Sequence, residues 1–272
     1  MFLLLDKKKG ISSFKTINQY AKDNNIKKIG HTGTLDPLAT GLLLVATNED
    51  TKLIDYIDKG TKKYVATMKL GFISDTYDID GEIQKFSKNI PSPEIIKKIL
   101  LSMEGEQYQK PPQFSAKKVN GKRAYKLARK GLKVELKKIK VKLSNIKIIS
   151  IINEFVKFEV IVSRGTYIRS IIHNFGKIAK CGAIMTELRR TSIGSLTEKQ
   201  IGIIDISPLL TLPTINLVKE QINSLIKGNI IKNNTNVKGK NIIKVNGVIC
   251  GIGYFSETIK TIKIFGNKVD TI

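Results

Sequence analysis

Asp36 has the setting in this chain most suited to chemistry. It stands between Leu35 and Pro37 in the run Gly30-His-Thr-Gly-Thr-Leu-Asp-Pro-Leu-Ala-Thr-Gly41, where Gly30, Gly33 and Gly41 let the backbone approach a ligand closely. A carboxylate in this position has two readings. It is a nucleophile or base facing something bound against the loop, or it caps a helix that has Pro37 at its first position. The local pattern leans towards the cap, and His31 and Thr32 shift that balance only modestly.

Arginine usage gives a second clue. The chain has six, Arg123, Arg129, Arg164, Arg169, Arg189 and Arg190, beside 41 lysines. Where almost every cation is Lys, the remaining Arg positions are candidates for bidentate pairing with carboxylate or phosphate and for stacking. They fall in three short blocks. Cys181 and Cys250 lie far apart with no Cys-x-x-Cys spacing, so neither a disulfide framework nor a zinc site is expected.

The elements that must carry these residues fit 272 positions, 41% of them apolar, enough for one sizeable domain and a small second one. Phe2 to Asp6 reads as a buried strand. Ser12 or Ser13 caps a helix with Phe14, Ile17 and Ala21 at helical spacing. The run from Gly30 to Gly41 reads as a loop on the rim of a sheet, followed by Leu42 to Ala46, apolar throughout and strand-like or helix-like. Strands are expected at 64–70, 136–149 and 155–162, and helices at 93–101, 124–130 and 167–179. Strands feeding helices without regular β-α-β alternation predict an α+β fold with a mixed, largely antiparallel sheet and flanking helices. Ser207 to Pro213 is the linker candidate, and β-like runs at 242–248 and 258–264 follow it. The expected division is 1–206, with a basic insertion near 107–147, and 214–272.

The formal charge of +24 favours polyanionic partners, although drift towards lysine in a chain crowded with Lys, Ile and Asn accounts for it equally well. Distribution is more informative. Residues 107–147 hold fourteen Lys or Arg against the single acid Glu135, while 48–58 and 75–82 are locally acidic, so one basic face is expected. The apolar opening Met1 to Leu5 stops at Asp6, too short for a signal core or a membrane span, and a cytoplasmic protein is expected.

The twelve residues Gly30 to Gly41 resemble, at every position, the catalytic motif of the TruB family of tRNA pseudouridine synthases. Four further blocks resemble that family in order: Gly71 to Gly81, Pro111 to Gly131, Ser163 to Gly176, and Leu188-Arg-Arg-Thr191. The resemblance covers roughly the first two hundred residues. Lys8 stands where the family usually has Pro, Ser74 where Thr is common, Val162 where Cys is frequent and Asn174 where Asp is common.

The resemblance implies a pseudouridine synthase fold followed by a small β-rich, PUA-like RNA-binding domain. It implies isomerisation of uridine 55 in the T loop of tRNA, with Asp36 as nucleophile, Arg169 as the partner that holds it, and Tyr64 stacked on the flipped base. By the same resemblance Tyr167 and Leu188 shape the uracil pocket, His31 fills the vacated stack, and Arg123, Lys126, Arg129 and Lys130 line the RNA path. On their own, Tyr64, Tyr167 and Leu188 read as core residues, and the four cations as a solvated face. No cofactor or metal is implied, no protein partner is required, and a monomer acting on the T arm is expected. Two other readings stay open: a guide-RNA-dependent pseudouridine synthase, and a non-catalytic RNA-binding or chaperone protein.

Overall fold

The computed structural model describes residues 1–269 except 116, 120 and 133. Ten strands form its main sheet: Phe2–Lys7 (β1), Ile29–His31 (β2), Thr40–Thr47 (β3), Lys62–Leu70 (β4), Gly105–Gln109 (β5), Ile139–Ile152 (β6), Phe155–Val162 (β7), Ala183–Ile193 (β8), Leu196–Thr197 (β9) and Gly202–Ile204 (β10). They run in the order β10-β1-β3-β8-β4-β7-β6-β5, with β2 on β3 and β9 on β8. The β3–β8 contact is parallel and the other pairings are antiparallel, so the mixed, largely antiparallel sheet is as expected.

The ambiguous run Leu42 to Ala46 is a strand with both faces covered. Leu42, Leu44 and Ala46 enter one core cluster, while Leu43 and Val45 pack with Leu3 and Ile17 in another. Two-sided burial explains why the run is continuously apolar rather than alternating. By contrast β4 buries Tyr64, Ala66, Met68 and Leu70 on one face only, which gives the alternation seen in the sequence.

Helices Ser13–Asp23 (α1), Pro93–Ser102 (α2) and Ile168–Ile178 (α4) flank this sheet, while Ala124–Ala128 (α3) packs in a separate small cluster with Val134 and Leu136. Ser12 caps α1 by accepting from the Lys15 amide at 3.1 Å. The expected apolar face of α1 is corrected at Phe14: α1 buries Ser13 and Ile17, and Phe14 is 67% exposed. Two facing glycines allow close packing of elements. A Cβ at Gly176 in α4 would lie 2.3 Å from the Ala183 amide nitrogen, and one at Gly41 (φ +99°) 2.2 Å from the Arg190 carbonyl oxygen.

A second sheet follows, built from Thr214–Asn216 (β11), Ile231–Lys232 (β12), Gly239–Val245 (β13), Val248–Phe255 (β14) and Thr258–Ile264 (β15), in the order β11-β13-β14-β15-β12, with helix Lys219–Ile226 (α5). The run expected at 242–248 is broken. Asn246 and Gly247 both take positive φ (49° and 81°), turning β13 into β14 as an Asn-Gly hairpin. Nor does the expected linker float free: the Asp58 amide donates to the Leu209 carbonyl, and the Thr211 amide to that of Tyr56. Ile242, Ile249, Ile252 and Phe265 join Phe2, Leu4 and Leu42 in one core cluster, which ties the second sheet to the first.

Candidate active site

The loop before β3 is held from beneath by buried polar groups. Ser13 Oγ accepts from the Leu35 amide at 2.8 Å and donates to its carbonyl at 3.0 Å. Lys7, whose side chain is fully buried, donates to the carbonyls of Ile11 (2.7 Å), Lys8 (2.9 Å) and Pro37 (3.2 Å). Burial pushes its ammonium down to about 8, against the upward pull of Asp36 and with a further lowering by Arg190. Arg190, 1% exposed, donates through Nε to the Leu42 carbonyl at 2.7 Å and through Nη2 to that of Gly33 at 3.1 Å.

No helix begins at Pro37. The Asp36 carbonyl accepts from the Ala39 amide at 3.0 Å in a turn, and its carboxylate faces the other way, so the capping reading is set aside. Arg169 Nη2 donates to Asp36 Oδ1 at 3.0 Å, and Nε lies 2.9 Å from Oδ2, too far off the N–H direction to count as a hydrogen bond. One strong hydrogen bond and one close electrostatic contact therefore join the two groups.

Arg169 is 5% exposed, not a surface cation at a helix start. The beginning of α4 is pinned to the end of β5, where Gln109 accepts from the Tyr167 amide (2.8 Å) and donates to its carbonyl (3.1 Å). The guanidinium also donates to the carbonyls of Thr76 (3.1 Å) and Phe114 (3.0 Å), and Asp78 Oδ2 lies 3.5 Å from Nη1. Burial pushes the Asp78 carboxyl up, while the Thr76 hydroxyl, Arg169 and the Asp80 amide pull it down. In that acidic loop Tyr77 takes φ +66° and stacks on His173, with ring centroids 3.8 Å apart. Burial and Lys177 lower His173 to about 4.

Above the Asp36–Arg169 pair opens a cleft of about 300 Å³. Tyr64, Tyr167, Ile168 and Leu188 supply its apolar walls, and Lys59, Lys62 and Arg164 also line it. Burial raises the Tyr167 phenol above its ordinary value. The residues named from the sequence as catalytic or pocket-shaping, Asp36, Arg169, Tyr64, Tyr167 and Leu188, thus converge. His31 does not line the cleft: it ends β2, and its buried Nδ1 has no hydrogen-bond partner among the described residues. Burial, then Arg190 and Arg123, lowers its pKa. Arg123, Lys126, Arg129 and Lys130 are exposed, with Arg129 5.7 Å from the Tyr125 ring centroid.

Sequence reasoning gave no place in this arrangement to Lys7, Ser13 or Asp78, and singled out Arg190 by the rarity of arginine without assigning it a role here; nothing distinguishes Lys7 among 41 lysines. Among the described residues no group of three or more His, Cys, Asp or Glu side chains is arranged to hold a metal, and no helix is long and apolar enough to cross a membrane.

A family model described as the N-terminal domain of TruB family pseudouridylate synthases matches residues 22–168. The chain belongs to the TruB family. Its matches include "tRNA pseudouridine synthase B" of Mycoplasma mobile, 44% identical over 100% of this chain and 97% of the relative. The protein of the same name from Mycoplasmopsis pulmonis is 44% identical over 99% and 96%. Among solved structures, one titled as a Cbf5-Nop10-Gar1 complex aligns with a TM-score of 0.64 at 24% identity, covering 97% of this TruB-family chain and 84% of the other. A second, of an H/ACA RNP bound to a substrate RNA, aligns at 0.62 and 22% with the same coverages. At those identities the likeness concerns the pseudouridine synthase fold alone.

Proposed function

We propose that this protein is a stand-alone tRNA pseudouridine synthase acting on uridine 55 of the T loop, with Asp36 as its nucleophile. One observation carries the reading: a half-buried carboxylate held by a buried guanidinium at the floor of a cleft walled by two tyrosines and a leucine. The uridine swings out of its stack into the cleft, where its base packs against Tyr64 and Leu188, with Tyr167 closing the pocket. Asp36 adds to the ribose C1′ or to base C6. By either route the C1′–N1 bond breaks, the uracil turns, a C1′–C5 bond forms, and the bond to Asp36 breaks to return its carboxylate. The C5 proton leaves and N1 gains one, so product and substrate are isomers and no oxidant, reductant or nucleotide is consumed.

Arg169 fixes the carboxylate in one orientation, and its contacts to Thr76, Phe114 and Asp78 hold the guanidinium itself still. His31, at the end of β2 beside the motif loop, enters the place the base leaves. Arg123, Lys126, Arg129 and Lys130 run along the RNA backbone. Residues 1–206 act as the catalytic domain and 214–272 as a PUA-like RNA-binding domain in a monomeric, cytoplasmic protein. The names of the relatives, which match this chain over nearly its whole length, support a tRNA substrate over a guided one.

The test is a tritium-release assay on a T-arm hairpin with purified protein alone. Conversion without guide RNA, metal or ATP is the expected result. Activity only with added guide and partner proteins, or no activity on any RNA, would overturn the proposal.

A further inference from the structure

The cleft has a charge imbalance that the chemistry at Asp36 does not use. Its lining contains five cations, Lys59, Lys62, Arg164, Arg169 and Arg190, and one carboxylate, Asp36. Arg169 is taken up by Asp36 and by two carbonyls, and Arg190 by two carbonyls. Lys59, Lys62 and Arg164 remain together.

Lys62 lies on β4 two residues before Tyr64, so the two side chains share a face of the strand. Among the described residues its ammonium donates to the carbonyls of Lys59 (3.2 Å) and Gly60 (3.4 Å) alone. The nearest acid acting on it, Asp58, already accepts from the Gly60 amide at 2.8 Å. Burial, then Arg190, Arg164 and Lys59, lower Lys62 to about 8, and Lys59 is lowered in the same direction. Like charges gathered in a partly desolvated cleft favour the uptake of an anion.

We infer that Lys62, with Lys59 and Arg164, forms an anion subsite that grips a phosphodiester flanking the flipped uridine. The inference rests on the proposed function, since it takes the cleft as the seat of a nucleotide. Base and phosphate of one nucleotide are joined through the ribose. A cleft that holds the sugar at Asp36 and the base at Tyr64 must place a flanking phosphate close by, and the mutually repelling Lys59, Lys62 and Arg164 line that same cleft. The subsite would set how the ribose presents itself to Asp36.

The experiment uses the full chain and a T-arm hairpin in which one linkage at a time is a neutral methylphosphonate. Binding is read by fluorescence anisotropy, and conversion in parallel. For the unmodified protein, substitution at one linkage flanking the target uridine should weaken Kd roughly tenfold. Lys62→Met should lose a similar factor on the all-phosphate hairpin and nothing further at that linkage, while matching the parent at remote linkages. Lys62→Arg should restore most of the affinity, and Arg164→Gln should show a smaller loss confined to the same linkage. Thermal melts identify a variant that fails by unfolding, in which case Arg164→Gln decides.

The subsite is overturned if the variant and linkage penalties multiply at both flanking positions, or if Lys62→Met binds the all-phosphate hairpin like the parent. Failure of the parent to convert any hairpin would instead overturn the proposed function. The binding scan still reads out in that case.

Discussion

Asp36 and Arg169 are unequal partners. The arginine is buried and fixed by four groups, whereas the aspartate side chain is 34% exposed and opens to the cleft. Asp36→Asn keeps shape and polarity but removes the carboxylate proposed as nucleophile, so turnover should vanish while Kd for the T-arm hairpin stays within about threefold. Persistent conversion by that variant would remove Asp36 from the role assigned to it. Arg169→Lys keeps the charge and loses the fork that reaches Asp36 and two carbonyls at once. A fall in kcat of at least about a hundredfold, or ~2.7 kcal/mol, is expected in single-turnover assays; a kcat near that of the parent would show the fork to be dispensable.

Lys62 gives a pH dependence whose sign follows from its lowered value. In the free protein it is charged below about 8 and loses that charge as pH rises through this value, so its attraction for phosphate fades on the alkaline side. The charged groups facing Lys62 are Lys59, which burial lowers in the same direction, and Arg164, Arg190 and Asp58. RNA affinity measured from pH 7 to 9 should therefore decline, and more shallowly in Lys62→Met. Equal slopes would count against a titrating Lys62 at the RNA.

At the scale of elements, strands were the most legible feature of the sequence, because period-two burial writes itself into β4 and β7. The two-sided β3 was legible only as an apolar run, since both faces reject water and no period survives. The face of α1 misled: Phe14 sits at helical spacing with Ile17, but the short helix buries only a narrow stripe. The Asp36–Arg169 pair joins residues 133 positions apart, a contact that no local pattern encodes. The resemblance pointed to it; the buried supports Lys7 and Asp78 followed only from the packed structure.

The β3–β8 contact is the tightest of these joints. At Gly41 a side chain would meet the Arg190 backbone, and Arg190 in turn holds the Gly33 and Leu42 carbonyls. Gly41→Ala should therefore destabilise by about 2 kcal/mol or more and lower Tm, with loss of turnover in the fraction still folded. An unchanged melt would mean that the strands part without cost.

For the whole molecule, the core does not respect the boundary read from the sequence. Phe2, Leu4 and Leu42 share a cluster with Ile242, Ile249, Ile252 and Phe265. Truncation after residue 213 should expose the first set and lower the melting temperature of what remains, rather than release a self-sufficient catalytic unit. An unaltered melt of the truncated chain would contradict this. If Arg123, Lys126, Arg129 and Lys130 each neutralise one phosphate of a duplex stem, they contribute about −3.6 to the slope of log affinity against log salt. Replacing all four by Gln should flatten the slope by that amount; an unchanged slope would remove them from the RNA path.

The order of strands has one more consequence. One half of the main sheet, β10-β1-β3, carries Asp36; the other, β4-β7-β6-β5, carries Tyr64; only β8 joins them. On the ribosome, β3 emerges with β1 on one edge and β2 on part of the other, and its first residues, Thr40 and Gly41, wait for Arg189 and Arg190, some 150 positions later. At about 5–20 residues per second that wait is roughly 8–30 s, with the first half of that strand edge, which β2 does not cover, open to mispairing. The nascent chain therefore cannot assemble its cleft until the sheet's central strand is made, and slow translation of this segment should be the step most sensitive to chaperone supply.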